Sequence, residues 1–123
     1  MSYDLALWVG ERPTSDEAAA DEYERRMSYL EELDDEARLA PASPRVQAFL
    51  EELLREFPPL GESEDDGDSP WAVGPEPGDV NGDLVYLNMT FAGAERAYDG
   101  ILELARRHGL VCYDPQEERL VVG

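Results

Sequence analysis

The sequence predicts an α+β fold: a single domain, residues 1–123, with a mostly antiparallel sheet and about three helices packed on one face, in the order β-α-α-β-β-α-β-β. Three observations predict it. Residues 3–9 and 84–91 place their larger apolar side chains at every second position, as strands do. Residues 46–57 place Val46, Phe49, Leu50, Leu53, Leu54 and Phe57 at helical spacing. Turn and cap residues then separate these segments, and 123 residues suit one hydrophobic core.

In the first strand, Tyr3, Leu5, Leu7 and Val9 share one side and Asp4, Ala6 and Trp8 the other. Gly10 and Pro13 end it, and Thr14 with Glu17 has capping-box spacing, so a helix is expected near Ser15 with Ala19, Tyr23, Met27 and Leu30 inward. Residues 34–36 close that helix in a charged turn. Ser43-Pro44 caps and opens the second helix, and Pro58-Pro59 stops it. An acidic loop at 61–70 follows, then a short strand expected at 71–73 and a tight turn at Asn81-Gly82. In residues 84–91, Val85, Leu87, Met89 and Phe91 are expected on one side, opposite Tyr86, Asn88 and Thr90. A third helix over 94–108 turns Ala94, Ala97, Tyr98, Ile101 and Ala105 inward and ends at Gly109, with Leu110 packing back. Strands at 111–113 and 119–122 flank the Asp114-Pro115 turn.

Charge is the dominant compositional signal. There are 29 acids against ten arginines, no lysine and one histidine, for a net charge of −19. Between Arg55 and Arg96 there are ten acids and no base. Such a field repels nucleic-acid backbones and anionic membranes and attracts basic proteins. Its plainest consequence is solubility. The lone Cys112 has no partner for an internal disulfide, which suits a reducing compartment. No signal peptide or spanning segment is recognisable, so a cytoplasmic location is expected.

The candidate chemistries are weak. Glu62, Glu64, Asp66 and Gly67 imitate positions of a calcium loop, but the place of its terminal bidentate Glu is held by Val73, and Pro70 interrupts the run. Turn chemistry accounts for Asp79, Asn81 and Asp83. His108 and Cys112 stand four apart, yet a helix end separates them, so a base–nucleophile pair is not expected; His108 suits the helix C-terminus and Cys112 the core. No zinc spacing, phosphate loop or nucleophile elbow occurs, and no cofactor or metal is expected. What remains is an acidic run followed directly by an aromatic, a composition suited to an interface in which acids steer and an aromatic anchors. The candidate contact residues are Glu62, Glu64, Asp65, Asp66, Asp68, Trp71, Glu76, Asp79 and Asp83. Trp71 has an equally good alternative role as a plug at the sheet edge.

Residues 2–13, SYDLALWVGERP, and 108–116, HGLVCYDPQ, together with SPRVQAFLEELLREFP and DSPWA, resemble a group of small acidic bacterial proteins of actinomycete type. These open with a Tyr-Asp-Leu strand ending in Trp and close with a Cys-Tyr-Asp-Pro-Gln turn. Some members look like toxin immunity proteins, and the resemblance implies no catalytic residues. The expected function is therefore that of a non-enzymatic binding protein, most concretely an immunity protein covering the active-site cleft of a basic toxin enzyme. Two other readings stand beside it: a nucleic-acid mimic occupying the groove of a DNA- or RNA-binding protein, and a soluble housekeeping domain with no specific partner.

Overall fold

The computed structural model describes residues 3–32, 41–57, 71–72 and 78–122. Its elements are β1 (Tyr3–Trp8), α1 (Asp16–Glu32), α2 (Pro44–Glu56), β2 (Gly78–Asn81), β3 (Leu84–Met89), α3 (Phe91–His108), β4 (Val111–Asp114) and β5 (Arg119–Val122). The five strands form one sheet in the order β2-β3-β1-β4-β5, every pairing antiparallel. This is the α+β architecture that the alternation and spacing predict, in the predicted element order.

β1 lies at the centre, paired with β3 from Tyr3↔Met89 to Trp8↔Leu84 and with β4 from Ala6↔Tyr113 to Trp8↔Val111. Leu5, Ala6, Leu7 and Trp8 are all buried, so both faces of the sheet need cover. On one face Leu5, Leu7, Val85, Leu87, Met89 and Cys112 meet Val46, Phe49 and Leu53 of α2 and Ala97, Ile101 and Leu104 of α3. On the other, Ala6, Trp8, Leu84, Val111 and Tyr113 meet Ala19, Tyr23 and Met27 of α1. The expectation that all three helices share one face is thus corrected: α1 crosses to the second face, because Trp8 and Tyr113 leave too much apolar surface there to face water.

Local chemistry sets the element ends. Ser15 Oγ accepts from Ala18 N at 3.1 Å, so Ser15 rather than Thr14 caps α1. Ser43 caps α2 with Pro44 in its first turn, as expected. Thr90 Oγ1 accepts from Gly93 N at 2.9 Å, which starts α3 at Phe91. Phe91 is therefore the first residue of a helix and half exposed, not the inward end of a strand. Gly109 adopts φ 70°, and Leu110 N donates to Ala105 O at 2.9 Å to close α3. Of the strand expected at 71–73, the described part is a single bridge from Trp71 to Met89; the strand before β3 is β2 instead. Gly82, at φ 55°, begins a two-residue turn that pairs Asn81 with Leu84, so the central turn residues are Gly82 and Asp83, one position later than expected.

The two ends of the described chain are fastened together at Asp114, the one buried charged side chain among the described residues. Its carboxylate accepts from Tyr3 Oη at 2.5 Å and Tyr98 Oη at 3.3 Å. It also accepts from Gln116 N, Gln116 Nε2 and Glu117 N at 3.0, 2.7 and 3.2 Å. Continuing the β1–β4 register places Pro115 opposite Asp4, and proline has no N–H to offer. The Gln116 amide takes that place: Asp4 N donates to Gln116 Oε1 at 2.6 Å, and Gln116 Nε2 donates to Asp4 O at 2.7 Å. The Tyr-Asp and Asp-Pro-Gln motifs at opposite ends of the chain are each other's partners.

This arrangement has a pH signature. Burial first, then the charge and hydrogen bonding of Asp114, push the Tyr98 hydroxyl up to about 12. Tyr3 is raised further, by burial and then by the same carboxylate. A hydroxyl raised in the folded state supports folding fully below its unfolded pKa and loses that support as pH climbs through the folded value. Stability should therefore hold to about pH 10 and fall steadily toward pH 12, as followed by urea denaturation at each pH. Tyr98→Phe should flatten that alkaline limb; a variant that declines as steeply as the wild type would contradict the assignment.

Candidate functional site

The outer side of α1 is an exposed acidic surface. Glu17, Asp21, Glu24 and Glu31 recur every three or four residues, or a multiple of that step, and with Glu32 all five are exposed. The helix's two arginines do not neutralise this stripe, because both turn toward Glu22. Arg25 Nη1 meets Glu22 Oε2 at 2.6 Å, and Arg26 Nε meets Glu22 Oε1 at 2.7 Å. Arg26 also lies over the Trp8 ring, 5.6 Å from its centroid, and donates to Val9 O, which fixes the helix against the sheet. Beside the stripe stands Tyr29, 60% exposed, one of the two large side chains of hydrophobic type left to solvent among the described residues. A row of carboxylates on a rigid helix with an exposed aromatic at its margin can steer a cationic surface and then supply apolar contact.

The residues selected from sequence are distributed differently. Glu62, Glu64, Asp65, Asp66, Asp68 and Glu76 lie outside the described residues. Trp71 is 1% exposed and belongs to the core on the α2–α3 face, with its indole Nε1 donating to Phe57 O at 2.9 Å. Its assignment as an interface anchor is corrected to the alternative, a plug against the sheet, because an indole offered a backbone acceptor and an apolar wall has no reason to remain in water. Asp79 lies on the edge strand β2, opposite Tyr86. Asp83 is exposed at the hairpin turn, and its carbonyl accepts from Val9 N at 3.0 Å. Its neighbours are Arg45, Arg106 and Arg107 around a broad depression, so it belongs to a region of mixed charge.

Two polar groups with catalytic potential are engaged elsewhere. Cys112 is fully buried, and burial followed by the nearby Asp114 charge raises its thiol well above the ordinary range, away from the reactive thiolate. His108 faces Glu52 of α2 at 3.4 Å and sets its ring edge against Phe49, so the two side chains do not form a pair. Asp4 accepts from Tyr86 Oη at 3.1 Å and Asn88 Nδ2 at 2.8 Å, which joins β1 to β3 on the α1 face. Among the described residues no group of three or more His, Cys, Asp or Glu side chains is placed to hold a metal ion. No described helix is long and apolar enough to cross a membrane.

Sequence reasoning passed over Tyr29, although the signal is present. It stands two residues after Met27 and falls off the Ala19-Tyr23-Met27-Leu30 stripe, so helical spacing alone turns it outward. Comparison with known proteins finds no matching family model, no matching curated protein and no matching solved structure.

Both tryptophans are 1% exposed. With Trp8→Phe as background, Trp71 should emit at short wavelength and resist acrylamide quenching until the protein unfolds. Trp71→Ala should cost about 3–5 kcal/mol in urea denaturation. A red-shifted, readily quenched native Trp71 would return it to the surface.

Proposed function

We propose that this chain is a non-enzymatic binding protein that recognises a basic protein partner through its acidic surface. The carrying observation is the carboxylate stripe of α1, unneutralised by the helix's own arginines and bordered by Tyr29. A helix held by Trp8, Tyr23 and Tyr113 presents these charges on a fixed frame, which lowers the ordering cost of binding. The acids of 61–70 and Glu76, Asp79 and Asp83 add to the same long-range negative field.

The most concrete form of this reading is a cytoplasmic immunity protein that blocks the cleft of a basic toxin enzyme. It draws on the sequence resemblance and on the net charge of −19. A second reading has one observation in its favour. The 17 residues of α1 carry their carboxylates along about 25 Å of axis, an extended spacing suited to imitating phosphates in a nucleic-acid-binding groove. Competition by duplex DNA for the captured partner separates the two: a mimic is displaced, whereas a toxin-specific inhibitor is displaced only by the toxin's own substrate.

The partner is to be captured from lysate of the source bacterium at low salt and its association rate measured with the wild type and with Asp21→Lys/Glu24→Lys/Glu31→Lys. Reversing three steering charges should slow association about tenfold or more at low ionic strength, with the difference shrinking as salt screens the field. The parallel set Glu64→Lys/Asp65→Lys/Asp66→Lys measures the contribution of the 61–70 segment. Rates unchanged in both sets would remove the acidic-surface reading.

A further inference from the structure

In a chain of net charge −19, four of the ten arginines and the single histidine gather at one end of the fold. Arg45, Arg106, Arg107 and His108 line a broad depression of about 840 Å³ between the start of α2 and the end of α3, with the exposed Asp83 as the one carboxylate on its lining among the described residues. Arg106 and Gly109 also line an adjoining depression of about 460 Å³, whose far wall is Arg12 and whose floor is apolar, formed by Leu110, Val111, Val121 and Val122. The two depressions share Arg106 and Gly109 on their linings.

These cations are not equally occupied. Arg107 Nη1 is held by Glu52 at 2.7 Å, and Glu52 Oε2 also meets His108. Burial raises the Glu52 carboxyl, but the hydrogen bonds and charges of Arg107 and His108 outweigh it and keep it below the ordinary range, so this trio is a fixed wall. Arg106 reaches Glu103 only at 3.7 Å, with both side chains largely in solvent, a contact of little strength. Arg12 and Arg45 make no ion pair among the described residues. The Arg45 guanidinium lies over Gly109, where an added Cβ would stand 3.2 Å from Nη1. Ser43, Pro44 and Arg45 place the positive end of α2 at the same wall.

We propose that these adjoining depressions bind a small oxyanion of the phosphate class, with Arg45 and Arg106 as its guanidinium ligands and Arg12 closing the apolar side. Arg45 and Arg106 line the same depression, and a compact, multiply charged anion with several acceptor oxygens is what neighbouring guanidinium groups recognise best. The overall negative charge does not prevent this, because at physiological ionic strength charges beyond about 8 Å are screened and the local arginines dominate. Complementing the C-terminal dipole of α3 accounts for Arg106 and Arg107 but not for Arg12 or Arg45, which come from other segments. The site is separate from the acidic stripe of α1, and the inference does not rest on the proposed partner.

The test is a titration of the full ¹⁵N-labelled chain with pyrophosphate, read by amide chemical shifts. Saturable shifts should centre on Arg45, Val46 and Gly109, with a dissociation constant of about 1 mM or tighter. Arg45→Gln/Arg106→Gln should weaken binding about tenfold or more while thermal melting stays near the wild-type value. Arg25→Gln on α1 should leave binding unchanged. ADP distinguishes the source of the phosphate: tighter binding than pyrophosphate assigns a nucleoside phosphate whose base lies on the apolar floor, and equal binding assigns the phosphate group alone. Absence of saturable shifts up to about 20 mM pyrophosphate, or equal affinity in the double variant, overturns the proposal.

Discussion

The carboxylate of Asp114 is the constraint on which the rest of the fold depends. Burying an ionised carboxyl is costly unless its oxygens are saturated with donors. Here they receive two tyrosine hydroxyls, a side-chain amide and two backbone N–H groups. Those donors come from β1, from α3 and from the turn between β4 and β5. One group therefore fixes the position of the central strand, the helix above it and the connection to the sheet edge. Tyr3, Asp114 and Gln116, drawn from the two end motifs, make a structural clasp, and each has a bonding role before any ligand is considered.

Central placement of β1 follows, and with it the division of the surface. A strand buried on both sides requires cover on both faces, and α1 supplies the second layer. The outside of α1 then becomes an acidic surface facing away from α2 and α3. The ends of those two helices instead bring arginines together, near the hairpin turn at Asp83. The acidic outside of α1 and the arginines at the ends of α2 and α3 are thus different places on a small protein.

Much of this was legible in the residues. The β-strand at 3–8, the periodicity and Ser-Pro start of α2, and the Gly109-Leu110 stop of α3 each carry a local physical cause, and the structure realises them. What local patterns leave open is which face a helix covers: Ala19, Tyr23 and Met27 define an inward stripe without saying inward to what. β2 was missed because Gly78–Asn81 has one apolar side chain, Val80, and is recruited by the hairpin turn rather than by its own pattern. Phe91 was misplaced because alternation continues past Met89, while the Thr90 cap ends the strand. Trp71 read as an anchor because acids precede it in sequence, but burial depends on the nonlocal Phe57 carbonyl and Met89. The arginine cluster escaped for the same reason: Arg12, Arg45 and Arg106 are distant in sequence, and a tally by segment averages them away.

The most direct test of this account is the coupling between Asp114 and its tyrosines, measured as a double-mutant cycle of Asp114→Asn with Tyr3→Phe by urea denaturation at neutral pH. If the carboxylate is the clasp described, the two substitutions share one interaction and the double variant is less destabilised than the sum of the singles by about 1 kcal/mol or more. Strict additivity would mean that Tyr3 and Asp114 support the fold independently, and the central claim would fail.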